Sequence, residues 1–254
     1  MTLDGCLNWP PIWLDVALRS SFLGTVAGVR AAKAATTTIP IVFRTGGDPV
    51  DLGLVASLNQ PGGNITGVNG LSLETGTKRL GLLHELLPHS SRVVVLINPN
   101  DPNAEHYAKG LEAAASTVGQ QVKFFNASNI RDIDLAFAAV TEWQPDAILV
   151  VAQGLFFNRR VQIVTQATFH ALPGMYPDSD FVDIGGLMSY GANSEDEFRL
   201  TGVYTARVLK GERPATMPVL RASKFEFVIN LQTAKTLRID VPSTLIARAD
   251  KVIE

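Results

Sequence analysis

From residue 23 onward, short apolar runs of strand length alternate with stretches of helical periodicity. The run 39–43 (IPIVF) reads as a strand, as does 65–68 (ITGV), which follows the turn formers Pro61, Gly62, Gly63 and Asn64. Between them, 50–58 reads as a short helix. Residues 74–87 set Leu80, Leu83, Leu86 and Leu87 at helical spacing, the mark of an amphipathic helix. The alternation continues with strand 92–97, helix 104–118, strand 121–125, helix 130–143, strand 146–151 and helix 158–169. The runs 93–97 (VVVLI) and 147–151 (AILVV) hold no polar position, so both faces of these strands must be covered. Strands of that kind belong to a parallel sheet with helices on either side. The pattern therefore predicts a doubly wound α/β fold with right-handed crossovers.

A short strand at 186–189, a helix at 194–209, a strand at 225–231 and a helix at 233–237 complete the reading. The helix at 194–209 has the clearest end signals. Ser194 stands at its start, Glu195, Asp196 and Glu197 fill its first turn, Arg207 and Lys210 lie at its end, and Gly211 stops it. Asp101 and Asn103 read as caps for the helix that begins at Ala104.

Composition narrows the function classes. The chain has 254 residues, 46% hydrophobic and 18% charged, which is enough apolar material for one large or two medium packed domains. With 22 basic and 24 acidic side chains the net charge is −2, and no long run of like charge occurs, so no nucleic-acid footprint is expected. No apolar run reaches the roughly 18 residues of a membrane span, so direct membrane insertion is not expected. Cys6 is the single cysteine, which excludes an intrachain disulfide and Cys₂ or Cys₄ zinc sites. The four histidines, His84, His89, His106 and His170, fall in no metal-binding pattern. Neither a G-x-S-x-G elbow nor a glycine-rich phosphate cradle is present, so no metal, cofactor or catalytic residue is assigned.

Candidate chemistry gathers instead at strand ends, where open α/β sheets bind ligands. Arg44-Thr45-Gly46-Gly47-Asp48-Pro49 follows the first strand, and Asn98-Pro99-Asn100-Asp101-Pro102-Asn103 follows the strand at 92–97. Ala152-Gln153-Gly154-Leu155-Phe156 and Ser189-Tyr190-Gly191-Ala192-Asn193 follow two more. Small polar groups beside aromatics suit a cleft for a small polar or amphipathic solute. The same residue types also build turns and caps, so each one has a structural reading beside the functional one.

Five stretches carry a family resemblance: 39–68 (IPIVFRTGGDPVDLGLVASLNQPGGNITGV), 78–88 (KRLGLLHELLP), 95–104 (VLINPNDPNA), 185–193 (GGLMSYGAN) and 224–237 (KFEFVINLQTAKTL). On these, residues 38–254 resemble the ABC-transporter substrate-binding family that includes tryptophan- and phenylalanine-binding proteins. The resemblance implies a class I periplasmic-binding-protein fold with two Rossmann-like lobes, three crossover strands and a solute in the interlobe cleft. It implies a first lobe of 1–70 with 191–218 and a second of 71–190 with 219–254. It further implies a binding protein rather than an enzyme, located in the periplasm, with an ABC permease as its membrane partner. A ligand-sensing module of the same fold is the alternative.

Carried over by matching position, first-lobe contacts fall to Thr45 and Asp48, and second-lobe contacts to Asn98, Asn100 and Phe156. Ser189 and Tyr190 are placed near a hinge. A zwitterionic solute such as an amino acid suits this set: Asp48 for an ammonium, amides and hydroxyls for a carboxylate, and Phe156 and Tyr190 for an apolar part.

Residues 1–22 depart from the family, which is expected to begin with an export signal and two further βα units. Leu3-Asp4-Gly5-Cys6 is similar to a lipoprotein cleavage box without the segments that precede one, so Cys6 reads as incidental. The segment 7–22, rich in Trp and Pro, reads as the product of a shifted frame, with a genuine alternative N-terminus as the other reading. The expectation is therefore a first lobe incomplete at its N-terminus.

Overall fold

A computed structural model describes residues 26–254; the expectations for residues 1–22 lie outside it. The described elements are α1 (Val26–Ala35), β1 (Ile41–Thr45), β2 (Ile65–Asn69), α2 (Ser72–Leu86), β3 (Arg92–Ile97), α3 (Ala104–Thr117) and β4 (Gln121–Asn126). They continue with α4 (Ile130–Ala138), α5 (Val140–Trp143), β5 (Ala147–Val150), α6 (Gly154–Asn158), α7 (Arg160–Phe169), β6 (Gly174–Tyr176) and α8 (Ser179–Asp183). Last come β7 (Met188–Ala192), α9 (Ser194–Leu209), β8 (Leu220–Arg221), β9 (Phe225–Asn230), α10 (Leu231–Thr236), α11 (Ser243–Ile246) and β10 (Lys251–Ile253).

The chain divides into two compact units. One holds the described residues up to Gly70 together with Ser194–Ala222, the other Leu71–Asn193 with Ser223–Glu254. The chain thus passes between units three times, at 70/71, 193/194 and 222/223. The lobes expected from the sequence, 1–70 with 191–218 and 71–190 with 219–254, place the later passages at 190/191 and 218/219.

In the first unit the strands run β1-β2-β8, all parallel. Alternation along β1 assigns its faces: Ile41 and Phe43 pack with Val29, Leu54 and Ile65, while Val42 packs with Tyr204, Val208 and Met217 from the side of α9. The segment expected as a helix at 50–58 is a series of turns instead. Its Leu52, Leu54 and Val55 are buried, yet Asp48 Oδ1 accepts from Val50 N (2.7 Å) and Asp51 N (3.3 Å). Leu54 N then donates back to Pro49 O. These buried apolar side chains anchor the loop while Gly53, at φ 66°, breaks any continuing helix.

The second unit is built on a sheet of order β10-β9-β7-β6-β5-β3-β4. As expected, β3 and β5 lie inside it and are buried along their apolar runs. One pairing departs from the all-parallel expectation: β7 and β9 are antiparallel, with Ala192 opposite Phe225 and Met188 opposite Ile229. The reason lies in the passages between units. The chain leaves this unit just beyond the end of β7 and re-enters beside that same end, where Asn193 N donates to Lys224 O (3.0 Å). A strand starting there can only run back along β7.

The edge of the sheet opposite the polar loops is fixed by Asp146. Its Oδ2 accepts from the backbone N–H groups of Ser91 and Arg92, each at 2.8 Å, which ties the starts of β3 and β5 together. Burial alone would raise this carboxyl, but the N–H donors outweigh it and hold its pKa below the ordinary value. A carboxyl depressed on folding stabilises above its unfolded pKa and loses that contribution as pH falls through the folded one. Acid titration of wild type and Asp146→Ala, followed by far-ultraviolet circular dichroism, is expected to show a smaller loss of stability below the ordinary aspartate range in the variant. Parallel acid curves would contradict this.

Candidate functional site

The carboxyl ends of the strands carry the candidate residues in each unit. In the first unit Thr45 ends β1; it is buried, and its Oγ1 accepts from Gly47 N (3.3 Å). Gly70 N donates to Thr45 O (2.8 Å), and Asn69 O accepts from Ala222 N (2.8 Å), so the first and third passages are tied to this edge. Asp48 is half-buried on the adjoining loop, and its two hydrogen bonds described above both fall on Oδ1.

A charged pair completes this edge. Arg44 donates to Glu197 Oε2 (2.8 Å) from β1 to the first turn of α9, and the guanidinium lies 4.6 Å from the centre of the exposed Phe198 ring. Glu197 is buried against Gly70, where an added Cβ would stand 2.3 Å from its Oε1. The glycine leaves the space that this carboxylate occupies.

In the second unit the loops after β3 and β5 are joined by a reciprocal amide pair. Gln153 Oε1 accepts from Asn98 N (2.6 Å), and Gln153 Nε2 donates to Asn98 O (3.2 Å). Gln153 is buried, so these bonds are shielded from water. Asn98 is half-buried and its Oδ1 accepts from the N–H of the exposed Asn100 (3.0 Å). Asp101 supports the same loop rather than capping α3 directly: its Oδ1 accepts from Asn103 N (2.9 Å) and Nδ2 (3.3 Å), and Asn103 occupies the cap position.

Phe156, read from the sequence as part of a loop, lies on the short helix α6 and is fully buried in the core of this unit. Ser189 is buried within β7, and its Oγ has no hydrogen-bond partner among the described residues. Tyr190 is also buried. Its ring stacks on Phe225 (6.0 Å, 10°) and meets Phe227 edge-on (6.4 Å), while its hydroxyl accepts from Lys78 Nζ (2.7 Å). Within each unit, then, the structure brings Thr45 beside the Asp48 loop, and Asn98 beside Asn100.

Three contributors were not singled out from the sequence. In the sequence Gln153 reads only as a loop residue, and Glu197 only as a first-turn acid. Arg79 had a legible signal: with Leu83 and Leu86 it falls on the i, i+4, i+7 stripe of α2, a charge on an apolar face. Among the described residues no group of three potential metal ligands occurs, and no helix is long and apolar enough to cross a membrane.

Comparison with known proteins adds three findings. Residues 23–253 match the family model described as ABC transporter substrate binding protein. The chain is 27% identical over 209 residues to a tyrosine-binding protein of Clostridioides difficile (strain R20291), covering 82% of this chain but 59% of that protein's length. Two solved structures align with 90% of this chain. One is a conserved domain protein from Vibrio cholerae (29% identity, TM-score 0.83, 76% of that chain). The other is the ABC domain from Streptococcus pneumoniae in complex with L-Trp (26% identity, TM-score 0.81, 78% of that chain).

Proposed function

Given that the chain belongs to the ABC transporter substrate-binding protein family, we propose that it binds an aromatic amino acid of the tyrosine or tryptophan class and delivers it to a membrane permease. The observation that carries this reading is the agreement between two relatives, one named for tyrosine and the other solved with L-Trp. A periplasmic or cell-surface location follows from the same reading.

The strand-end loops of both units supply the contacts in this proposal. Asp48 takes the ligand ammonium on Oδ2, since its loop bonds use Oδ1. Thr45, Asn98 and Asn100 contribute hydroxyl and amide groups for the rest of the polar head. Phe156, Ser189 and Tyr190 shape the walls from within the second unit, given their burial.

Two experiments test this. A thermal-shift screen across the amino acids and common sugars is expected to single out tyrosine and tryptophan, since a ligand at about 100 times Kd adds about 2.7 kcal/mol of stability. A sugar as the sole hit would overturn the reading. For the site, Asp48→Asn keeps an Oδ1 acceptor for the loop but removes the charge. Its affinity is expected to fall roughly ten- to a hundredfold with little change in melting temperature. Wild-type affinity in this variant would remove Asp48 from the site.

A further inference from the structure

Arg79 is an unusual tenant of a core. It lies on α2 among Leu80, Leu82, Leu83 and Leu86, is 1% exposed, and forms no ion pair among the described residues. NH1 donates to the backbone oxygen of Tyr190 (3.3 Å), whereas Nε and NH2 have no hydrogen-bond partner among the described residues. Burial pulls its pKa down to about 10, an effect partly offset by Tyr107, so the guanidinium is still charged at neutral pH. A buried charge without a counter-ion is destabilising, and an apolar side chain of similar volume is often neutral or better in its place. Stability alone therefore gives no reason for arginine here.

What Arg79 and its neighbour do hold is a single residue. Lys78 donates to the Tyr190 hydroxyl and lies 4.1 Å from the centre of its ring, while Arg79 takes the Tyr190 carbonyl. Two consecutive cations thus grip one tyrosine by its side chain and its backbone. The two elements so joined are special in the chain path. Helix α2 begins immediately after the first passage, behind Leu71 at φ 55°, and β7 runs into the second passage at 193/194. Strand β7 is in turn tied to the third passage through Asn193 and Lys224.

We propose that Lys78 and Arg79 are positioning residues that fix the end of β7 through Tyr190, so that ligand affinity depends on two cations that the ligand does not touch. The dependence on affinity rests on the binding function proposed above; the fixing of β7 does not. The stability that an apolar residue at 79 would return is, on this account, given up for a defined path of the chain out of the sheet.

The test uses Arg79→Met, Arg79→Lys and Lys78→Met in the full chain, with hydrogen exchange measured without ligand. In Arg79→Met and Lys78→Met, amides of residues 190–193 are expected to exchange at least fivefold faster, while the melting temperature stays level or rises. Arg79→Lys, which retains one donor for the Tyr190 carbonyl, is expected to recover most of the protection. Lys78 is exposed on the helix, so that variant reports even if Arg79→Met folds poorly. In parallel, affinity for L-tyrosine or L-tryptophan is expected to fall three- to tenfold. Unchanged exchange at 190–193 overturns the proposal, and so does an affinity loss without any exchange change, since that marks direct ligand contact. If the wild type binds neither amino acid, the functional reading fails while the exchange data still decide the role of the cations.

Discussion

Replacing Gly191 by alanine is expected to cost about 3 kcal/mol of unfolding free energy, the upper end of overpacking effects. An added Cβ at Gly191 would stand 2.0 Å from the backbone oxygen of Pro177, which no side-chain rotation relieves. Strand β7 has no freedom to retreat. It pairs with β6 on one side and with β9 on the other, and the Tyr190 ring beside it is packed on Phe225 and Phe227. Urea unfolding of Gly191→Ala against Gly81→Ala checks the claim. Gly81 lies on α2 with nothing within 4 Å of its added Cβ, so alanine there is expected to be neutral or mildly stabilising. Equal stability of the two variants would contradict the packing argument.

Gln153→Ala is the second large effect, with an expected loss of about 2–3 kcal/mol and at least a tenfold loss of affinity. Removing the amide leaves both Asn98 N and Asn98 O without the partners that Gln153 supplies in a buried position. Each stranded buried group costs about 1–3 kcal/mol, and water entering the site recovers part of that. The loop carrying Asn98 and Asn100 then loses its link to the segment after β5. Denaturant melts and ligand titration on the same sample separate the two terms. A stability loss with intact affinity would place Asn98 and Asn100 outside the ligand site.

Much of this architecture was legible because burial on both faces leaves an unmistakable trace. Strand β3 begins and ends where the strand read at 92–97 does, and α9 spans the residues between Ser194 and Leu209 that its end signals marked. The misreadings have physical causes. Residues 50–58 read as a helix because apolar residues recur along them, but the buried Leu52, Leu54 and Val55 anchor a series of turns. The antiparallel β9 was hidden because strand direction is set by where the chain re-enters the unit, which no local pattern encodes.

The site was legible in position but not in division of labour. Strand-end loops announced themselves by polarity, yet nothing in the sequence distinguishes Asn98, whose side chain and backbone brace its own loop, from a residue left for a ligand. Phe156 illustrates the same limit, since an aromatic beside a loop and an aromatic on a buried helical turn read alike. Arg79 is the opposite case, a charge visible on an apolar stripe whose meaning required its contact with Tyr190.

Recognition of a free aromatic amino acid is tested by calorimetric titration. The folded chain is titrated with L-tyrosine and L-tryptophan, then with tyramine, which lacks the carboxylate, and with 3-(4-hydroxyphenyl)propionate, which lacks the ammonium. Saturable one-site binding of at least one amino acid is expected, weakened at least tenfold for both analogues. Heats of dilution alone for every compound at millimolar concentration, from a sample that melts cooperatively, would contradict it.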